Sequence, residues 1–387
     1  MTGVDVSDPS SGQSAAQAAG AGSTAAAAES AAASSSALAA ASLERVRASV
    51  PLVQCITNTV VQQFSANVLL AAGASPAMLD HEADAAQFAA LAGGVLVNFG
   101  TATSHQLLAA DAAVRTANAL GTPWVLDPVS LGAADHRSMH IRRLADSGPT
   151  AIRGNASEIA GLAGTGAGGR GIESIDTVDD VLAPAAELAA RTGAVIAVSG
   201  PVDAVVAVQD GEALIARIAG GHRLMPLVVG TGCSLGALTA AYLGAVTEET
   251  AAEELAAKEA AAEAQAADRG ESASGAGGFE GETPAGAGTG VAGLLRARFH
   301  AVVAAHAHFA AAGAAAGARA GGPGTFQTEF LDALHAVSAE DIAGADIRLR
   351  RTPLSEVREA GSGSPAPLGS HTPLPQAPLS QNRAPSA

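Results

Sequence analysis

Val228-Val229-Gly230-Thr231-Gly232-Cys233-Ser234-Leu235-Gly236 runs through a glycine-rich turn straight into an Ala- and Leu-rich helical pattern. The first N–H groups of a helix have no partner inside it, and the helix dipole adds partial positive charge. The turn Gly230-Thr231-Gly232 therefore makes a hole for an anion such as a phosphoryl group in transfer. Glycine suits it because a Cβ would obstruct both the turn geometry and the close approach of a ligand. Cys233 stands where the same field favours a thiolate. A plain helix start with a small buried cysteine fits these nine residues equally well, so the decision rests on the rest of the chain.

Upstream, short apolar runs alternate with helical patterns, the signature of a parallel sheet flanked by helices. Val53–Ile56 reads as a strand ending at Thr57-Asn58, followed by a helix that closes at Gly73. Gly94–Phe99 reads as a strand ending at Asn98 and Gly100, and Thr103–Leu120 as a helix stopped by Gly121. Trp124–Leu126 is expected to stop at Asp127-Pro128, Ala151–Ile152 at Arg153-Gly154-Asn155, and Ala194–Val198 at Ser199-Gly200. Ala204–Val208 reads as an antiparallel neighbour of the last of these. Asn58, Asn98, Asp127, Arg153 with Asn155, and Ser199 would then all follow strands. In open α/β sheets the ligand cleft lies outside the carboxyl ends of the strands, so five polar positions at one edge predict a cleft there.

Composition bounds the folded part of the 387 residues. Residues 1–42 are Ala-, Ser- and Gly-rich and 351–387 are Pro- and Ser-rich, and both read as disordered tails. The remaining 43–350 is expected to form a single α/β domain carrying a low-complexity acidic insert at about 248–290. Glu248 to Glu282 holds ten acidic residues against Lys258 and Arg269, so half of the net charge of −16 sits in that insert. Lys258 is the single lysine, which excludes a Walker-type phosphate loop. Gly164–Gly171 carries Arg170 but no Lys-Ser/Thr and is expected to be a mobile loop. No basic patch suggests nucleic acid. Cys55 and Cys233 make neither a disulfide framework nor a zinc pattern. The N-terminus lacks a secretory pattern and no uninterrupted apolar run reaches spanning length, so a cytoplasmic location without membrane contact is expected.

Several segments together resemble one family. PLVQCITN at 51–58, AAGASPAM at 71–78 and LDPV at 126–129 are similar to the hydroxyethylthiazole kinase family, as are AIRGNASEI at 151–159, VSGPVD at 198–203, GTGC at 230–233 and GPGTFQ at 322–327. The segments occur in the family's order across most of 43–345; the tails and the acidic insert depart from it. The resemblance implies a ribokinase-like three-layer α/β/α fold with a central, mostly parallel sheet. It also implies transfer of the ATP γ-phosphoryl, with Mg²⁺, to the hydroxyl of 4-methyl-5-(2-hydroxyethyl)thiazole in thiamine salvage. The partners would be ATP, hydroxyethylthiazole and two further copies in a homotrimer, with the substrate site at the subunit boundary.

By the same resemblance Arg153 and Ser199 would bind ATP, Met78 and Gly230 would contact the acceptor, and Cys233 would lie nearest the acceptor hydroxyl. A thiol serves as a base only if its pKa is depressed, as a helix N-terminus can do; otherwise Cys233 would orient the alcohol. Asp127 and Glu158 are the candidate Mg²⁺ holders, since that ion takes one or two carboxylates with waters and phosphates. Asn58 is a candidate partner for the thiazole nitrogen or the hydroxyl, or a helix cap. Two alternatives remain open: a hydroxymethylpyrimidine kinase-like enzyme or similar relative on the same fold, and a nucleotide-binding regulator without catalysis.

Overall fold

Alternating strands and helices follow one another through the computed structural model, which describes residues 36–165, 177–247 and 286–362. Helix α1 covers 36–49. Then come β1 (Leu52–Ile56), α2 (Gln62–Ala72), β2 (Ser75–Ala77), α3 (Glu82–Ala89), β3 (Gly94–Asn98), α4 (Ser104–Leu120) and β4 (Trp124–Asp127). The middle of the chain forms α5 (Asp135–Ala145), β5 (Ala151–Asn155), α6 (Ala156–Ala163), α7 (Leu182–Thr192) and β6 (Val195–Ser199). A hairpin of β7 (Val202–Gln209) and β8 (Glu212–Ala219) leads into α8 (Thr231–Gly244). The chain continues with α9 (Gly286–Arg319), α10 (Pro323–Ala336), α11 (Ala339–Ala343), β9 (Ile347–Pro353) and α12 (Leu354–Ser362).

Among the described residues nine strands join one sheet in the order β2-β1-β3-β4-β5-β6-β7-β8-β9. Pairing is parallel from β2 through β6 and antiparallel from β6 through β9. Strand direction puts all the carboxyl ends of β1 to β6 on one edge. The chain leaves β1 toward β2 on one side and leaves β3 toward β4 on the other, so the switch point where such sheets open a crevice lies between β1 and β3.

Side-chain alternation divides the interior in two. Cys55, Leu96, Val125, Ala151, Val195 and Ala197 face a core built with α1, α2, α8, α9 and α10. Val95, Val97, Trp124, Leu126, Ile152 and Ile196 face the opposite core with α3 to α7 and α12. The expected three-layer α/β/α arrangement is what results, with α8 lying directly on the centre of the sheet.

Both expected tail boundaries are corrected. Residues 36–42 belong to α1, whose Ala39, Leu43 and Val46 are fully buried at helical spacing. Alanine is the best helix former, so an Ala/Ser-rich stretch that looks coreless still folds where it finds a partner. At the other end β9 and α12 carry the domain to residue 362, with Leu354 and Val357 buried. β4 ends at Asp127 and β6 at Ser199 rather than one residue earlier, β3 ends at Asn98, one residue short of the expected Phe99, and Arg153-Gly154-Asn155 completes β5 because those residues pair with Ala197, Val198 and Ser199. The expected mobile loop at 164–171 and the acidic insert fall largely outside the described residues. Ala292–Arg319 is long and apolar enough to cross a membrane by length and composition, contrary to expectation, but 67% of its most apolar stretch is buried inside the domain.

Candidate active site

Alternation along the strands aims the edge residues at α8. Asn98 lies two residues after Leu96, Asp127 two after Val125, Arg153 two after Ala151 and Ser199 two after Ala197, so all four project from the α8 side of the sheet at its carboxyl edge. Register brings them side by side, with Asn98 opposite Asp127 and Arg153 opposite Ala197.

Arg153 is the hub. Its Nη2 donates to Ser199 Oγ at 2.7 Å, and its Nη1 reaches Asp127 Oδ2 at 3.4 Å in an almost fully buried ion pair. The guanidinium passes beneath the first turn of α8: a Cβ built at Gly232 would stand 3.4 Å from Nη1 and 3.6 Å from Nη2. That turn has no side-chain cap, and Gly230 opens it in the left-handed region at φ 99°. A Cβ at Gly230 would also come within 2.9 Å of Phe64, so both conformation and space require glycine there. Ser234 N–H already donates to Gly230 O at 2.8 Å, whereas Gly232 and Cys233, second and third in the helix, have no intrahelical acceptor. Thr231 is turned inward instead: its N–H points to Val228 O, and its hydroxyl donates to Met225 O at 2.9 Å. Free donors, a helix dipole and a guanidinium thus share one positive corner, and one buried aspartate answers them.

Cys233 sits on the same turn and accepts from Asn58 Nδ2 at 3.4 Å; that amide also donates to Asn98 Oδ1 at 3.1 Å. The depressed thiol that a base role would need is not what the surroundings produce. Burial first, and then the charge of Asp127, push Cys233 up to about 11, against help from Asn98, Arg153 and Asn58. Desolvation of the thiolate outweighs the Arg153 charge and the two amide hydrogen bonds here. Cys55 is buried at 1% exposure and pushed up to about 12, as a small hydrophobe in a strand should be. Alkylation of Cys233 by iodoacetamide at pH 8 is therefore expected to be about two orders of magnitude slower than for a free cysteine and still rising at pH 9.5, since only the thiolate reacts. A rate matching a free thiol at pH 8 would contradict the raised pKa.

Two carboxylates flank Arg153. Burial raises Asp127, opposed by the Arg153 charge and by hydrogen bonds from Asn98, Arg153 and Val129. Glu158 is pushed up to about 7, by burial and then by the charge of Asp127. It is no surface acid: Oε1 accepts from Ser130 N at 2.8 Å, and Oε2 from Asn155 N at 2.9 Å, while Asn155 Oδ1 accepts from Glu158 N at 2.9 Å. This reciprocal cap starts α6 and fixes Glu158 beside the β4 loop. Ser130 has φ 55°, uncommon for a residue with a side chain, and is held there by Glu158 and by Arg137 Nη2 on its carbonyl at 3.3 Å. Arg137 also donates to Gly100 O at 2.9 Å and so ties the β3 and β4 loops together. Nothing in the sequence marked it, because an arginine in a helical pattern has no signature.

Asn58 is thus brought together with Cys233, Asp127, Arg153 and Ser199. Met78 is not in that cluster: it follows β2 and packs, half-buried, against the α8-side core near the same edge. His306 and His308 go to different partners, Asp203 at 2.7 Å and Tyr242 at 2.9 Å. Among the described residues no three His, Cys, Asp or Glu side chains gather as a metal cage.

Outward donors, a fixed cationic fork and paired carboxylates at the carboxyl edge are the parts phosphoryl transfer needs, since that chemistry is mostly positioning and charge stabilisation. On this sheet they define the ribokinase-like kinases. The model of the "HK: Hydroxyethylthiazole kinase family" matches residues 43–282. The chain is 44% identical over 308 residues to a hydroxyethylthiazole kinase of Corynebacterium glutamicum (strain R), covering 79% of this chain and 97% of that one. It is 43% identical over 298 residues to one of Corynebacterium efficiens, covering 77% and 92%. A solved hydroxyethylthiazole kinase structure from Pyrococcus horikoshii OT3 superposes with a TM-score of 0.60 at 28% identity, over 81% of this chain and 98% of that one. The chain belongs to the hydroxyethylthiazole kinase family.

Proposed function

We propose that this chain transfers the γ-phosphoryl of ATP to the hydroxyl of 4-methyl-5-(2-hydroxyethyl)thiazole, the thiazole half of thiamine. The observation that carries the reading is the Arg153 guanidinium lying beneath the uncapped start of α8. Two positive features so close favour an anion between and above them. Arg153 and Ser199 hold ATP phosphate oxygens, and the Gly230–Cys233 turn receives the phosphoryl group as it moves. Asn58 and Met78 serve the acceptor, with Asn58 beside Cys233 at the alcohol and Met78 against the flat, sulfur-containing ring.

Two hard oxygen donors whose pKa values are raised by burial, Glu158 also by its neighbour's charge, suit a divalent cation such as Mg²⁺. Asp127 and Glu158 would hold it, and it would supply charge neutralisation at the phosphate oxygens. A loose transfer asks little of a base, and a thiol near 11 is a poor one. Cys233 therefore orients the alcohol. Cys233→Ser is expected to keep kcat within about tenfold of the parent enzyme, whereas loss of a general base costs about 10²-fold or more. A drop of that larger size would restore the base.

The acceptor side opens onto an apolar rim in which Val60, Leu227 and Val229 are each more than 60% exposed. Such a patch beside a site fits burial against a second copy, which supports a homotrimer with the acceptor site at its boundary; a cytoplasmic location accords with these substrates. The whole reading is tested by ADP release from Mg-ATP with the thiazole alcohol, with a hydroxymethylpyrimidine, and without acceptor. Turnover with the thiazole alcohol alone is expected. Preference for the pyrimidine would make it a relative on the same fold, and ATP binding with no turnover would make it a regulator.

A further inference from the structure

Three glutamine amides converge on the short connection after β2. Gln54, fully buried in β1, donates from Nε2 to Leu79 O at 3.1 Å and Ala85 O at 3.3 Å. Gln62 at the start of α2 reaches Asp80 Oδ2 at 3.5 Å. Gln106, in the first turn of α4 and 5% exposed, does more. Its Oε1 accepts from Thr103 N at 3.1 Å, closing the capping box of α4, and this fixes which way the amide faces. Both Nε2 hydrogens are then spent, on Thr57 O at 3.0 Å and on Asp80 Oδ2 at 2.7 Å.

The two acceptors of that amide lie on different segments. Thr57 precedes Asn58, whose amide touches Cys233. Asp80 follows Met78 by two residues. We propose that Gln106, with Asp80, is a positioning residue for the acceptor: one buried amide sets the distance between the segment that holds the ring and the segment that holds the alcohol. The proposal rests on the acceptor roles of Met78 and Asn58 given above. A buried donor with two hydrogens in fixed directions holds two backbone segments more rigidly than packing alone, and small errors in the spacing of reacting groups cost rate steeply. Neither Gln106 nor Asp80 belongs to the Arg153 corner, so the effect is confined to one substrate.

Gln106→Glu keeps the cap acceptor for Thr103 but turns oxygens toward Thr57 O and the Asp80 carboxylate. It is expected to raise KM for the thiazole alcohol by about tenfold to a hundredfold while KM for ATP stays within about twofold. Adding Asp80→Asn supplies a donor to the new carboxylate, and the double variant is expected to recover part of the loss. Equal shifts in both KM values, or a double variant as poor as the sum of its parts, would overturn the proposal. Should Gln106→Glu fail to fold, Asp80→Ala leaves the cap and the Thr57 bond in place and is expected to raise acceptor KM alone; no change in it would also overturn the clamp. Met78→Ala and Asn58→Ala run alongside. If these too leave acceptor KM unmoved, the acceptor assignment has failed and the clamp with it; if they shift it while Gln106→Glu and Asp80→Ala do not, only the clamp has failed.

Discussion

Arg153→Ala is expected to lower kcat/KM for ATP by about three orders of magnitude, in line with what a transition-state arginine contributes in phosphoryl transfer. Fold stability is expected to fall with it. Arg153 lies 3.4 Å from Asp127, itself 2% exposed. Removing one partner of a buried pair leaves an uncompensated charge and costs about 3–5 kcal/mol. The deficit depends on pH in a defined direction. Burial already raises Asp127 and Arg153 opposes that, so without Arg153 the folded-state pKa climbs further above the unfolded value. The folded state then binds the extra proton, and stability drops as pH rises, so the loss should be larger at pH 8 than at pH 5. Arg153→Lys separates the two effects. It keeps a charge for Asp127 but not the fork that spans Asp127 and Ser199, so it should recover more stability than turnover. Thermal unfolding at both pH values beside initial rates against ATP checks this; an Arg153→Ala enzyme with unchanged ATP dependence would remove the phosphate role.

Gly94→Val is expected to be the most damaging change away from the site. A Cβ at Gly94 would overlap the carbonyl oxygen of Ala240 in the middle of α8, and one at Gly244 would stand 2.8 Å from Gly93 O. Here α8 rests on β3 with backbone against backbone, and no flexible side chain can give way. Overpacking at such a contact costs about 3 kcal/mol, and in a domain of this size that lowers Tm by about 6–12 °C. Gly324→Ala, where a Cβ meets nothing within 4 Å, is the matched control and should stay within about 0.5 kcal/mol of the parent. Equal melting of the two variants would mean that α8 is not seated as described.

Much of this architecture is legible in the sequence, and the reason is local. Val95, Val97, Val125 and Leu126 make short apolar runs, each closed by a polar residue at the carboxyl edge, so strand and cleft are written together. Helix stops at Gly73 and Gly121 are as plain. The ends of the domain are hidden for opposite reasons. In α1 the residues that pack are mostly small, and composition does not distinguish packed alanine from unpacked. In β9 the run IRLRRTP carries arginines and a proline because an edge strand is blunted by charge, and its last three residues, 351–353, read as tail. Site electrostatics are not legible either. The thiol of Cys233 stands on a helix N-terminus, but its burial beside Asp127 reverses the inference drawn from that position. Gln106 and Asp80 lie 26 residues apart on different elements, and no local pattern announces that one amide joins them.

Whether the phosphoryl group travels over the uncapped start of α8 beside Arg153 is decided by a crystal structure with a non-hydrolysable ATP analogue and the thiazole alcohol. The γ-phosphoryl oxygens are expected at about 3 Å from the N–H groups of Gly232 and Cys233 and from the Arg153 guanidinium, with the alcohol oxygen beside Cys233. Phosphates bound away from this corner, for instance near Arg217 and Arg348 at the far side of β8, with the α8 turn in contact only with water, would contradict it.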